Sequence, residues 1–386
     1  MTYRIAVSAG EVSGDQHLAE LVRVLLKVLP GAELKGMAGR KSEAAGVTLS
    51  VDAFRHGSTM GFFELLSGLR SIRFSMTTMK ALIREWKPHL LVIVDYPDFN
   101  LRLAEFAKSQ GVKVLYYIPP KVWAWRSGRI SKIKRCTDAI AAIFPFEPAF
   151  YRTHGVNHVY YVGNPVADAA KKLDFNESEG KNNNVVILAG SRRAEVERIL
   201  IPLLQTFEIL LKSFPELVAT VVVAANMNPQ QIEQSLEGKV SADVLKRVRW
   251  SSNDALEEMA VSRLGLLKSG TCNLEAAMVG LPFVCVYSGS RFAKFIVDNF
   301  VSLKEYSPVN IIRAGTVPEV AEVTLLPEVV AAAARRILPD GDSRELMVHG
   351  LAEVQGALQG GTDRMVTGSS VAERVGNLAL QLITGK

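Results

Sequence analysis

Ten short, almost wholly apolar runs constrain this chain more than any other feature of its sequence. Five lie in the first half: RIAVSA (4–9), LLVIVDY (90–96), KVLYYI (113–118), AIAAIF (139–144) and VYYVG (159–163). Five lie in the second: NVVILAG (184–190), VATVVVAAN (218–226), RVRWS (247–251), LGLLKSG (264–270) and FVCVYSG (283–289). A strand that is apolar at nearly every position must be covered on both faces, which is the condition of a parallel sheet between layers of helices. Amphipathic stretches separate the runs. After the first of them, Leu18, Leu21, Val22, Leu25 and Leu29 recur at helical spacing, and Pro30 stops the helix. The polar stretch KKLDFNESEGKNNN (171–184) reads as a linker. The expected fold is α/β, with two doubly wound domains over 1–170 and 185–349 and an interdomain cleft. The last ~60 residues read as helical, with Ser370 and Glu373 as a capping box before Val371, Val375, Leu378 and Leu382.

Composition excludes several classes. With 48% hydrophobic and 22% charged residues in 386, the chain has material for two cores and no signature of disorder. Cys136, Cys272 and Cys285 show no C-x-x-C spacing, and they read as buried thiols of a reducing compartment. The six histidines are scattered; Gly155 between His154 and His158 argues against a helical metal face, so neither metal nor cofactor is expected. The N-terminus has no basic leader before an apolar core, and no run reaches the ~18–20 apolar residues that span a bilayer. The net charge of +6 suits phosphorylated substrates, anionic lipid or nucleic acid without choosing among them.

The chemistry is expected where strands end. After the first run, Gly10, Glu11, Val12, Ser13, Gly14 and Asp15 form a turn that lacks G-x-G-x-x-G. Its two acids disfavour a phosphate and suit sugar hydroxyls or proton transfer, although Asp15 can equally cap a helix. In VIVDYPDFN (92–100), Asp95, Asp98 and Asn100 combine a candidate general base with candidate caps. In the second half, Gly190, Ser191, Arg192 and Arg193 open one helix, and Lys268, Ser269, Gly270 and Thr271 open another. Two anion-binding turns in one domain point to a diphosphate, and so to a nucleotide donor. KVWAWRSGRISKIKR (121–135) carries six Lys or Arg, no acid, and Trp123 and Trp125. It fits a phosphorylated or carbohydrate acceptor or nucleic acid, while Lys132, Lys134 and Arg135 alone fit a solvated helix face. The stretch 58–86, rich in Phe, Met and Leu with interspersed Arg and Lys, fits either a bilayer interface or a core helix.

These motifs together resemble the lipid-A-disaccharide synthases, glycosyltransferases of the double-Rossmann GT-B fold. The matching pieces are AGEVSGD (9–15), GMAG (36–39), TMGFFELL (59–66), DYPDFN (95–100), VWAWR (122–126), FPFEPAFY (144–151), VGNPVAD (162–168), GSRRAEV (190–196) and SGTCNLEAA (269–277). Departures from the pattern are IPPK before the tryptophans, Ser42, Asn164 and Glu322. The resemblance implies two Rossmann-like domains, with helices of about 350–386 packing back on the first. It implies transfer of 2,3-diacylglucosamine from its UDP derivative to 2,3-diacylglucosamine 1-phosphate (lipid X), without a metal and with no nucleic acid partner. It also implies a place on the cytoplasmic face of the inner membrane, met through Phe62, Phe63 and Leu66, and is compatible with a homodimer that exchanges C-terminal segments. By position it makes Asp98 the base and Glu11 a second essential residue. Ser13, Asp95, Asn100, Trp123 and Arg126 would meet the acceptor. Gly190, Ser191, Arg192, Ser269, Gly270 and Thr271 would hold the diphosphate, Glu275 the ribose, and Asn310 would lie near the donor. The alternatives from the residues alone are another GT-B UDP-N-acetylglucosamine transferase or epimerase, or a basic RNA- or lipid-binding module.

Overall fold

The structure is a computed structural model that describes residues 2–54, 62–124, 127–173, 182–224, 227–236, 238–289, 305–360 and 366–385; residues 62–69, 127 and 182 are described by their backbone alone. The chain divides into two compact units, Met1–Pro165 with Gln359–Lys386, and Val166–Leu358.

The first unit holds strands β1 (Arg4–Ala9), β2 (Glu33–Ala38), β3 (Thr48–Asp52), β4 (Leu90–Val94), β5 (Lys113–Tyr117), β6 (Ala139–Ala142) and β7 (Val159–Tyr161). Its helices are α1 (Val12–Val28), α2 (Arg40–Ala45), α3 (Phe62–Trp86), α4 (Pro97–Ser109), α5 (Ile130–Cys136) and α6 (Glu147–Thr153); α7 (Pro165–Ala170) leads into the second unit. The second unit holds β8 (Asn182–Leu188), α8 (Arg193–Leu211), β9 (Val218–Val222), α9 (Pro229–Ser235), α10 (Ala242–Leu245), β10 (Val248–Ser251), α11 (Ala255–Ala260), β11 (Ser262–Lys268), α12 (Thr271–Met278), β12 (Phe283–Tyr287), α13 (Pro308–Ile312), β13 (Glu319–Ala321), α14 (Pro327–Ile337) and α15 (Asp342–Gln359). Helix α16 (Val371–Thr384) returns to the first unit.

Both sheets are parallel throughout. Their orders, β3-β2-β1-β4-β5-β6-β7 and β10-β9-β8-β11-β12-β13, have the same doubly wound pattern. Eight of the ten apolar runs fall on interior strands, while the other two form the edge strands β7 and β10, of which β10 is only partly buried. Ile5, Val7 and Ala9 of β1 pack with α1 and α16 on one face, while Ala6 joins Met79, Ile83, Phe99 and Ile133 on the other.

Three strands lie outside the ten runs. β3 and β13 are sheet edges with half-buried positions, so neither needs two apolar faces. In β2 the apolar pattern is broken by Lys35 and Gly36, and a Cβ at Gly36 would lie 2.0 Å from the Val7 carbonyl oxygen. The polar run 171–184 is also not all linker. β8 begins within it at Asn182, because Asn184 is buried and satisfied: its amide donates to Ser262 Oγ at 2.8 Å and its oxygen accepts from Thr220 Oγ1 at 3.1 Å.

The C-terminal helix is tied to the first sheet by a buried arginine. Arg374 donates through Nε to Val162 O (2.6 Å), through Nη1 to Gly368 O (3.1 Å) and through Nη2 to Gln359 O (2.9 Å). Ser370 Oγ caps the helix by accepting from Glu373 N–H, and the Glu373 carboxylate reaches back to the Ser369 and Ser370 backbone. Arg374→Met should therefore strand the buried Val162 carbonyl, remove two part-buried bonds and destabilise the first unit by about 3 kcal/mol, read as a lower urea midpoint. An unchanged midpoint would show that the helix is held by its apolar face alone.

Candidate active site

In each sheet the chain leaves in opposite directions from two neighbouring strands, β1 and β4 in the first and β8 and β11 in the second. Such switch points leave a crevice beyond the strands' C-terminal ends.

In the first unit β1 ends at Gly10 and Glu11, and β4 ends at Asp95 and Tyr96. Gly10 must be a glycine because a Cβ there would sit 2.3 Å from the Tyr96 ring. Asp95 and Tyr96 both adopt left-handed backbone, each with φ of 46°. That conformation costs an L-residue with a side chain roughly 1–2 kcal/mol. Asn100, fully buried in the first turn of α4, holds it in place. Its Nδ2 donates to Asp95 O (2.8 Å) and Val94 O (3.1 Å), and its Oδ1 accepts from buried Ser8 Oγ on β1 (2.6 Å). Tyr116 Oη also donates to Asp95 O at 3.2 Å. Asn100, expected as a substrate contact, offers no exposed surface; it fixes the turn that presents Asp95 and Asp98.

Beyond this turn lies a cavity of about 590 Å³, lined by Asp95, Asp98, Lys121, Arg129, Phe144 and the Ile118–Pro120 turn among others. Burial, and then the charge of Glu11, push Asp95 up to about 6, against the opposing pull of the Tyr96 N–H and Lys121. Glu11 is exposed at the N-cap of α1 and makes no capping bond; Ser13 is exposed in the first turn of the same helix. Asp15 has a different role. It is buried and accepts from the N–H groups of Gly39 (2.9 Å), Lys41 (3.1 Å) and Ser42 (3.2 Å), so it caps α2. The Asp98 carboxylate stands exposed and is ion-paired with Arg129.

Trp123 spends its one N–H on Glu147 (3.0 Å) and packs edge-on against Phe144 and Phe146. Glu147, fully buried, also accepts from Ile143 and Phe144 N–H, each at 3.0 Å, yet burial outweighs these donors and pushes it up to about 7. The tryptophan therefore packs against the wall residue Phe144, its indole N–H spent on Glu147, and is not itself among the residues that line the cavity. Arg126 and Trp125 lie outside the described residues. Lys121, Arg129 and Glu147 were not singled out from the sequence. The first two were visible only as two of six cations in 121–135, and the third only as part of FPFEPAFY.

In the second unit a cavity of about 450 Å³ opens over the ends of β8, β9 and β11. Gly190, Ser191, Lys268, Ser269, Gly270, Thr271 and Glu275 all line it. Gly190 has φ of 126°, and a Cβ there would meet Glu195, whose carboxylate takes the Lys268 ammonium at 3.0 Å. Burial would raise Glu195, but Lys268 and Arg192 outweigh it and the net shift is downward. Arg192 stands exposed at the N-cap of α8, its guanidinium 3.5 Å from Glu195, so Lys268 is the cation in the cavity wall. Ser269 Oγ donates to Tyr306 O at 2.6 Å, and Thr271 begins α12. Glu275 is pushed up to about 7 by burial and by the charge of Asp254.

Asn310 does not face this cavity with a spare polar atom. Its amide donates to Val317 O (2.9 Å) and Glu319 (2.7 Å), its oxygen accepts from Val317 N–H (2.9 Å), and it is nearly buried. It ties α13 to the strand β13, which corrects its expected place among the substrate contacts. Among the described residues no group of three or more His, Cys, Asp or Glu side chains is arranged to hold a metal ion.

The sequence model of the lipid-A-disaccharide synthetase family matches residues 5–361. A lipid-A-disaccharide synthase of Nitrosococcus oceani is 35% identical over 95% of each chain. One of Myxococcus xanthus is 36% identical over 92% of this chain and 93% of its own. Among solved structures, an S. aureus MnaA–UDP co-structure superposes with a TM-score of 0.65 at 15% identity, covering 99% of this chain and 96% of that one. The UDP-GlcNAc 2-epimerase of Neisseria meningitidis bound to UDP-GlcNAc superposes with a TM-score of 0.62 at 12% identity over the whole of both chains. At these identities the structures show the shared fold.

Asp95 holds its proton more tightly in the folded chain, at about 6, than at its ordinary value of 3.8. The stability this adds is complete below that ordinary value and is lost as pH rises through about 6. Asp95→Asn stays neutral throughout, so it should gain on the wild type by up to about 3 kcal/mol between pH 4 and pH 8 in urea titrations. A difference that does not change with pH would show that Asp95 titrates normally.

Proposed function

The chain belongs to the lipid-A-disaccharide synthase family, and from that premise we propose how its residues divide the work of the reaction. It is a glycosyltransferase that transfers 2,3-diacylglucosamine from UDP-2,3-diacylglucosamine to 2,3-diacylglucosamine 1-phosphate, giving a β-1,6-linked disaccharide 1-phosphate and UDP. The observation that carries the division of labour is the opposite chemistry of the two switch points. The first gathers carboxylates, Glu11, Asp95 and Asp98; the second gathers backbone N–H groups, hydroxyls and Lys268.

In this reading the second unit holds the donor's UDP. The turns at Gly190–Arg192 and Ser269–Thr271 offer helix N-termini to the diphosphate, with Lys268 and Arg192 adding positive charge to the leaving group. Glu275 at the cavity wall takes the ribose hydroxyls. That an S. aureus protein of the same fold binds UDP supports a UDP-bearing donor here. The first unit holds the acceptor, and Asp98 accepts the proton of the attacking hydroxyl. It is the exposed carboxylate of the cavity, within reach of a hydroxyl, whereas Asp95 sits half-buried behind it. Glu11 orients the sugar.

Both substrates carry acyl chains, so the enzyme works at the cytoplasmic face of the inner membrane and binds it peripherally. Among the described residues no helix is long and apolar enough to cross a membrane. Phe74 and Ile72 of α3 are exposed beside exposed Arg70 and Arg73, a pattern suited to a bilayer interface with anionic headgroups. The side chains of Phe62, Phe63 and Leu66, at the start of that helix, lie outside the described residues. Changing those three to Ser should weaken sedimentation with anionic vesicles while the circular dichroism spectrum stays the same. Undiminished sedimentation would put the membrane contact elsewhere.

The first test is product formation from UDP-2,3-diacylglucosamine and lipid X, analysed by mass spectrometry. Asp98→Asn should lower turnover by roughly 10²–10⁴-fold, the usual worth of a general base, while UDP binding persists. Near-normal turnover would remove Asp98 from the role. Loss of UDP binding as well would mean that the variant has lost its fold rather than its base.

A further inference from the structure

Arg129 is an odd partner for an exposed carboxylate. It lies on the turn before α5 with its side chain only 19% exposed, while the Asp98 side chain it meets is 76% exposed. A guanidinium carries five N–H donors in a planar fork. Among the described residues only its Nη2 has a hydrogen-bond partner, the Asp98 carboxylate. Arg129 lines the same cavity as Lys121, whose ammonium lies over the Phe144 ring at 5.7 Å. A cavity wall thus holds two cations, and one of them has donors to spare for a tetrahedral anion. Guanidinium forks bind phosphate bidentately, and such charge-assisted bonds are stronger than a single contact to a solvated carboxylate.

The same pairing creates a problem for the proposed base. While Arg129 holds Asp98, one carboxylate oxygen is engaged where the acceptor hydroxyl should be received. The acceptor carries both groups concerned, a hydroxyl to be deprotonated and a phosphate on the same sugar ring. We propose that Arg129 and Lys121 form the subsite for the acceptor's phosphomonoester, and that filling this subsite draws Arg129 off Asp98. The inference rests on the reading of the first unit as the acceptor site. The phosphate takes the fork, and the carboxylate turns to the hydroxyl. The hydroxyl proton then passes to Asp98 as its oxygen bonds to the donor's anomeric carbon. The bond from that carbon to the UDP oxygen breaks, and its electron pair leaves with UDP. The base is uncovered by the substrate that needs it, so donor alone meets a covered carboxylate and water is a poor substitute for the acceptor.

The test compares two acceptors, 2,3-diacylglucosamine 1-phosphate and the same sugar without its phosphate, at a fixed concentration of UDP donor. Wild-type protein should prefer the phosphorylated acceptor in kcat/KM, and Arg129→Gln should erase roughly 10- to 100-fold of that preference. The loss should fall more heavily on the phosphorylated acceptor than on the other. Arg129→Lys, which keeps the charge but not the fork, should restore part of the preference. The ratio of the two acceptors is independent of the fraction of protein that folds. An equal loss on both acceptors, or a preference that survives in Arg129→Gln, would overturn the inference while leaving the synthase activity in place. Wild-type protein that turns over neither acceptor would overturn the acceptor-site reading and this inference with it.

Discussion

A buried asparagine in the first turn of the helix after the fourth strand organises each half of this chain. In the first sheet Asn100 bonds the carbonyls at the end of β4 and the Ser8 hydroxyl of β1, and so locks the two strands at which the sheet reverses direction. In the second, Asn273 is equally buried. It donates to Lys268 O at the end of β11 and accepts from Cys285 on β12. An amide is suited to the task because it donates and accepts at once, and strand ends leave both kinds of group unsatisfied in a dry place. Were either amide removed, the strand ends would lose buried hydrogen bonds, at a cost of about 1–3 kcal/mol for each group left without a partner. The turns carrying the chemistry can then depart from ordinary backbone, as Asp95 and Tyr96 do.

With the frames alike, the difference between the halves lies in what the loops carry. The first sheet ends in acids brought close enough that Glu11 helps keep the Asp95 proton on. The second ends in small residues at helix starts and a lysine tied to Glu195. A carboxylate cluster accepts protons; a helix start with a cation attracts a diphosphate and stabilises a departing anion. In the division of labour proposed above, one frame used twice separates proton acceptance from leaving-group stabilisation.

Much of the fold was legible before any coordinates. Eight of the ten apolar runs mark interior strands because both faces of those strands are covered, the other two fall on the edge strands β7 and β10, and the first, Arg4–Ala9, has the same limits in sequence and structure. The edge strands β3 and β13 were not legible, since half-buried edges carry too few apolar residues to stand out. β2 was hidden by Gly36, a residue that signals a turn in sequence but here permits close approach to Val7. Asn184 read as linker for a similar reason: a polar side chain that finds partners inside the sheet looks like one that needs water.

By itself the sequence determined the class of fold, the family and the short motifs at which chemistry is concentrated, because these depend on local periodicity and on the order of residues along the chain. Only the tertiary structure decided which polar residues within a motif face the cavity. Asp95, Asp98 and Asn100 stand within six positions of one another, yet one is half-buried with its proton held, one is exposed, and one is sealed inside. Asn310 and Trp123 likewise spend their hydrogen bonds on the protein, while Arg129, thirty-one positions from Asp98, reaches it directly. The reason is physical. Whether a polar group bonds protein or substrate depends on partners that arrive from distant strands, and the spacing of residues along a chain carries no record of them.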